Sequence, residues 1–175
     1  PMNAIIGFTK VLLKTDLNAK QQEYLKAIKT SGDALIVLIN DILDLAKVDA
    51  GKMTFAQEPF KMAVSITTML HLFESTINEK NLELVTEYDN RIPQVLLGDS
   101  VRLHQIILNL VSNAVKFTSK GKITVRVCLL KEDEIDVTIE FFITDTGIGI
   151  PENKTEHIFE KFQQATGDTS SLYGG

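Results

Sequence analysis

A helical hairpin followed by an α+β sandwich is the fold class that this 175-residue sequence predicts, and three observations carry the prediction. Over the first 50 positions the apolar residues recur at steps of three, four or seven, the spacing of a stripe along a helix. Beyond Gly51 the pattern changes, and helix-spaced stretches are interleaved with short β-type runs bounded by turn residues. Two of those runs, at 122–130 and 135–144, flank the polar turn "KEDE", the signature of an antiparallel pair.

In chain order, residues 1–14 form a first short helix whose apolar face is Ile5, Ile6, Phe8, Leu12 and Leu13. Pro1 is tolerated because a first-turn proline forfeits no hydrogen bond. After the polar break at Thr15 and Asp16, Asn18 is the expected N-cap of a long helix over about 19–50, with Gly51 as its left-handed C-terminal residue. Tyr24, Ile28, Leu35, Leu38, Ile42 and Leu45 make one narrow seam along it, with Ser31 and Gly32 in the same row. One hairpin cannot cover both of its own seams, whereas two copies make a four-helix bundle, so a homodimer is expected. The alternative is a helix that packs on the rest of its own chain.

Residues 53–60 then read as a short strand, 62–79 as a helix, and 82–88 as a strand ending in the turn "DNRIPQ". Asp99 or Ser100 caps a second strong helix through about 117, and the paired runs complete a mixed sheet with helices on one face. The expected domains are therefore 1–50 for the hairpin and 51–175 for the sandwich.

Composition excludes several classes of function. The net charge is −5 with Lys and Arg dispersed among Asp and Glu, so no basic face is offered to a nucleic acid. The one cysteine, Cys128, rules out a disulfide framework or a thiolate metal site and suits a reducing, cytoplasmic compartment. No run approaches the roughly 18 apolar residues needed to span a bilayer, so no membrane contact is expected of this segment.

Two stretches carry candidate chemistry. In "LHQIILNLVSNAVKF", 103–117, Asn109 and Asn113 are four residues apart and Lys116 three further on, which puts all three on one stripe of a helix. Amide oxygens suit a hard cation such as Mg2+ and an ammonium can hold a phosphate, although polar residues on a helix are also simply its solvated side. In "FFITDTGIGIPE", 141–152, Asp145 ends a strand and Gly147 and Gly149 follow at alternate positions. That pattern fits a pocket wall in which a carboxylate accepts from an exocyclic amine, but also an ordinary turn or half of an aspartic protease site. The protease reading leaves the asparagine helix unexplained.

Taken together these stretches resemble the kinase core of a two-component sensor histidine kinase of the hybrid type. "LHQIILNLVSNAVKFT" is similar to that family's N box, "DTGIGI" to its first glycine box, "IFEKFQQ" to its phenylalanine box and "YGG" to the start of its second glycine box. "PMNAIIGF" resembles the stretch after the phospho-acceptor histidine, and "DLAKVDAGKM" the end of the second bundle helix. The resemblance covers essentially the whole chain. It implies a dimerisation and phosphotransfer hairpin, then an ATP-binding domain of the fold shared with DNA gyrase and heat-shock-90 chaperones.

By the same resemblance Asp145 takes the adenine amine, and Gly147, Gly149 and Ile150 line the base pocket. Asn113 ligates Mg2+, Asn109 sits beside it near the phosphates, and Lys116 contacts phosphate. Phe159 and Phe162 anchor a lid that begins after Ile150, and Gly174 belongs to the second glycine box. ATP-hydrolysing relatives carry a glutamate where Asn109 stands, which fits transfer to a histidine rather than to water. The whole protein is then expected to bind Mg-ATP, phosphorylate its own histidine and pass the phosphoryl group to an aspartate of a response-regulator receiver domain.

Two departures from the family pattern qualify this. Pro1 resembles the proline that closes the acceptor motif, so the acceptor histidine is expected to precede this chain, with no catalytic residue in it. His71, His104 and His157 are assigned surface or packing roles. The resemblance also makes the sandwich C-terminally incomplete, leaving a sheet edge and part of the pocket uncovered. This stretch alone is thus expected not to autophosphorylate. The competing readings are a dimerisation module with a degenerate pocket and a gyrase-like ATPase.

Overall fold

The computed structural model describes residues 1–155, and the chain divides into two compact units, Pro1–Thr54 and Phe55–Gly175. Of the sequence-derived candidates, Phe159, Phe162, Gly174 and His157 lie outside the described residues.

The first unit is the expected hairpin of α1 (Met2–Leu12) and α2 (Ala19–Asp49). Asn18 caps α2 reciprocally: its Oδ1 accepts from the Gln21 amide at 2.9 Å, and its own amide donates to Gln21 Oε1 at 3.0 Å. Gly51 closes the helix at φ 62°, as the sequence implies. The helices meet where Ile6 and Thr9 of α1 are buried and Gly32 of α2 lets Ile6 approach closely. Little else is covered, and Phe8, Tyr24, Ile28, Leu38 and Ile42 all remain exposed.

In the second unit the order is β1 (Glu58–Phe60), α3 (Met62–His71), α4 (Glu74–Glu79), β2 (Glu83–Tyr88), β3 (Leu96–Gly98), α5 (Ser100–Phe117), β4 (Lys122–Glu132) and β5 (Val137–Asp145). β1 and β3 form a small antiparallel pair. The main sheet runs β2-β4-β5, parallel between β2 and β4 and antiparallel between β4 and β5, so it is mixed as expected. Ile123, Val125 and Val127 alternate inward along β4 and are fully buried, packed in one core with Ile66 of α3 and Ile107 and Val111 of α5.

Four details depart from the sequence reading. Of 53–60 only the last three residues pair as a strand. The helix expected over 62–79 is two: the amides of Leu72 and Phe73 turn to the carbonyls three residues back, tightening the end of α3 before α4 starts at Glu74. β3 went unnoticed because three residues are too few to show alternation. The hairpin turn lies at 133–136 rather than 131–134, because Asp133 Oδ1 accepts from the amides of Ile135 and Asp136 and nucleates the turn there.

Candidate functional site

Helix α5 is fixed at both ends before it presents anything. At its start Asp99 accepts from the Arg102 amide at 3.0 Å and, through its other oxygen, from the Ala56 amide at 3.1 Å. Those backbone donors, Arg102 first, hold the Asp99 carboxyl below its ordinary range. At its end Lys80, from the turn after α4, donates to the carbonyls of Val115 at 2.6 Å, Lys116 at 3.3 Å and Thr118 at 3.4 Å. A cation thereby satisfies orphan carbonyls at the negative pole of the helix.

Between these clamps Ile107, Val111, Ala114 and Val115 face the core, so the opposite stripe is turned outward. It carries Ile106, Asn109, Leu110 and Asn113, all exposed. The two amides are therefore accessible and flanked by two exposed aliphatic side chains. Lys116 is partly buried, with its ammonium 5.4 Å from the ring centroid of Phe117.

The segment after β5 folds onto the end of α5. The Ile148 amide donates to the Phe117 carbonyl at 3.3 Å, and Gly147 lies so close that a Cβ there would stand 2.5 Å from that oxygen. Only glycine fits at 147. Gly149 is different, because it has open space around it and needs glycine for its φ of 70°. Thr146 is stitched to the start of β4, taking the Lys122 amide at 3.0 Å, and its hydroxyl sits where Gly121 leaves no room for a side chain.

Asp145 is held from one side. Its Oδ1 accepts from the Gly147 amide at 2.8 Å and from the Thr118 hydroxyl at 3.4 Å. Among the described residues Oδ2 accepts no hydrogen bond, and Asp145 is exposed. The loop thus offers one carboxylate oxygen to something outside. Asn109, Asn113 and Lys116 lie on α5, Asp145 at the end of β5, and Gly147, Gly149 and Ile150 on the loop after it, which is tied to the last turn of α5. Sequence reading missed Lys80, Thr118 and Thr146, which hold that arrangement. Thr118 and Thr146 stand inside the stretches "LHQIILNLVSNAVKFT" and "DTGIGI" without a role of their own, and Lys80 stands in neither.

The donor set fits Mg2+ carried with phosphates better than a protein-only metal site. Among the described residues no three His, Cys, Asp or Glu side chains gather where a cation could be caged. An exposed neutral amide oxygen such as that of Asn113 suits an ion that keeps waters and phosphate oxygens as its other ligands.

The family model of the His Kinase A (phospho-acceptor) domain matches residues 1–51, and that of the histidine kinase-, DNA gyrase B- and HSP90-like ATPase matches residues 98–175. The whole chain is 39% identical to the signal transduction histidine-protein kinase BarA of Escherichia coli K12 and spans 19% of it. The hybrid signal transduction histidine kinase L of Dictyostelium discoideum is 40% identical over the whole chain, which spans 10% of it.

The chain belongs to the sensor histidine kinase family.

Among solved histidine kinases, full-length ShkA in complex with AMPPNP superposes with a TM-score of 0.77 at 31% identity, covering 98% of this chain and 36% of that one. The nucleotide-free catalytic domain of histidine kinase ThkA gives a TM-score of 0.51 at 27% identity over 69% of this chain and 77% of that one. The chain thus corresponds to the kinase core, hairpin plus ATPase sandwich, and spans about a fifth of the bacterial relative it matches. Relatives that are histidine kinases along the whole length favour this reading over a gyrase-like ATPase or a bare dimerisation module. No helix among the described residues is long and apolar enough to cross a membrane.

Proposed function

We propose that this chain is the ATP-handling core of a cytoplasmic histidine kinase assembly, with residues 1–50 serving dimerisation and phosphotransfer and residues 51–175 binding the nucleotide. The observation that carries the reading is the one-sided anchoring of Asp145, which leaves a single carboxylate oxygen beside the glycine loop. An exocyclic amine is the donor such an acceptor takes, and adenine carries one. Gly147, Gly149 and Ile150 form the wall of the base site. Lys116 holds a phosphate, Asn113 supplies an oxygen ligand to Mg2+, and Asn109 stands one turn earlier, near the phosphates. Phe159, Phe162 and Gly174 join this site on their motifs alone.

Bound Mg2+ supplies charge neutralisation on the transferred phosphoryl group. The chain's own residues bind and orient. An amide at position 109 has no basic group to deprotonate water, which favours a histidine nitrogen as nucleophile over hydrolysis. The bond from the γ-phosphorus to its bridging oxygen breaks, a phosphorus–nitrogen bond forms, and ADP leaves. The phosphoryl group then passes to an aspartate of a response-regulator receiver domain. The exposed seam of α2 supports a homodimer, because a second copy would bury Leu38 and Ile42. None of the three histidines lies in 1–50.

Titration of the chain with Mg-ATP by calorimetry tests the site. Asp145→Asn replaces an acceptor-only carboxylate by an amide, and the loss of a charge-assisted hydrogen bond is worth about 10- to 100-fold in affinity. Equal binding by both proteins would overturn the reading.

A further inference from the structure

We propose that Thr118 is a positioning residue for Asp145, and through it a determinant of base selectivity, with Lys80 as the brace that keeps it in place. The inference rests on the nucleotide reading above and adds a role for Thr118, the last residue of the stretch similar to the N box, and for Lys80, which no quoted motif includes. Thr118 is fully buried, and a buried hydroxyl without a partner is costly. The partner it has is Asp145 Oδ1, at 3.4 Å.

Everything around Thr118 fixes where that hydroxyl points. Its amide donates to the Ala114 carbonyl at 3.1 Å and its own carbonyl accepts from Lys80. A β-branched side chain on a pinned backbone has little rotamer freedom. The Gly147 amide reaches the same Oδ1 from the other side at 2.8 Å. Both contacts meet the same oxygen, so Oδ1 is held before any ligand arrives.

A fixed carboxylate discriminates in a way that a loose one does not. Adenine presents an amine to Oδ2, whereas hypoxanthine presents a carbonyl oxygen at the same position and meets a negative charge that cannot turn away. Freeing Asp145 should weaken ATP binding and relax the exclusion of ITP, so the ratio of the two affinities narrows. A role confined to packing would leave that ratio unchanged.

The experiment is calorimetric titration of the full chain with Mg-ATP and with Mg-ITP. Thr118→Val, nearly the same shape without the hydroxyl, is expected to weaken ATP binding by about three- to tenfold and to narrow the ATP-to-ITP ratio. Thr118→Ser keeps the hydroxyl and is expected to stay within about twofold of the original protein. In the Asp145→Asn background Thr118→Val should add less than about twofold, because the two act as one unit. Lys80→Met should narrow the ratio in the same direction. If Asp145→Asn weakens ATP binding while Thr118→Val and Lys80→Met leave the ratio unchanged, the positioning role is wrong. If Asp145→Asn has no effect, the nucleotide reading fails and this inference falls with it.

Discussion

The hairpin and the sandwich use apolar residues in opposite ways. In the hairpin the seam residues Tyr24, Ile28, Leu38 and Ile42 stay exposed, and only Ile6, Thr9 and Gly32 are buried. In the sandwich Ile66, Ile107, Val111, Ile123, Val125 and Val127 are each at most 2% exposed. One unit encloses its own core and the other presents one. The lesson is that the sandwich's stability belongs to a single chain, whereas the hairpin's is written for a surface it does not contain.

The largest test of that contrast is a pair of truncations. Ile66→Ala removes a side chain from the closed core and is expected to cost about 2–5 kcal/mol. Leu38→Ala, at a position 58% exposed, is expected to cost less than about 0.5 kcal/mol in an isolated chain. Amide exchange of β4 and α2 under native conditions reads the two units separately. If the cost of Leu38→Ala instead grows with protein concentration, the seam is covered by a second copy and the homodimer stands.

A second contrast is between glycines. At Gly147 a Cβ would meet the Phe117 carbonyl oxygen at 2.5 Å, whereas at Gly32 it would meet side-chain atoms of Ile6, Cγ1 at 3.0 Å and Cδ1 at 3.2 Å. Backbone cannot step aside as an isoleucine can. Gly147→Ala is therefore expected to cost about 1–3 kcal/mol and to undock the loop that carries Asp145. Gly32→Ala should cost under about 1 kcal/mol, since helix propensity partly offsets the squeeze. Thermal unfolding of both variants, with Mg-ATP titration of the first, separates them. Equal losses would mean that the loop is not docked as described.

The same physics explains what was legible in the sequence. The hairpin, the Asn18 cap, Gly51, the limits of α5 and the β4–β5 pair were readable because each depends on residues within a few positions of one another. Asp145 and the two asparagines were readable as types on a strand end and a helix face. The contacts that join them were not. Lys80 reaches carbonyls 35 to 38 residues away, and Thr118 meets a carboxylate 27 residues on, so no local spacing announces either. The break at Leu72–Phe73 and the strand β3 were hidden for another reason. The first leaves the helical period intact, and the second is too short to have one.

Acid sharpens the comparison in the smallest increments. In the hairpin Lys29 lowers the Asp33 carboxyl through an ion pair within α2 itself. In the sandwich two of the depressed carboxylates, Asp89 and Asp99, also bind across the fold. Asp89 lies far below the ordinary range because the Arg91 side chain and amide donate to it, and it also takes the Leu129 amide at 3.2 Å, tying the end of β2 to β4. Asp99 joins α5 to Ala56 in the same manner. A carboxyl whose folded value is depressed contributes stability above its unfolded value near 4 and loses it as pH falls through the folded one. Unfolding followed by β4 amides should therefore steepen as pH drops below about 4, while α2 amides respond weakly. Asp89→Asn removes the titrating group, so the variant should start less stable at neutral pH and lose less on acidification. If its pH profile runs parallel to that of the original chain, the Asp89 staple is not what couples the sandwich to acid.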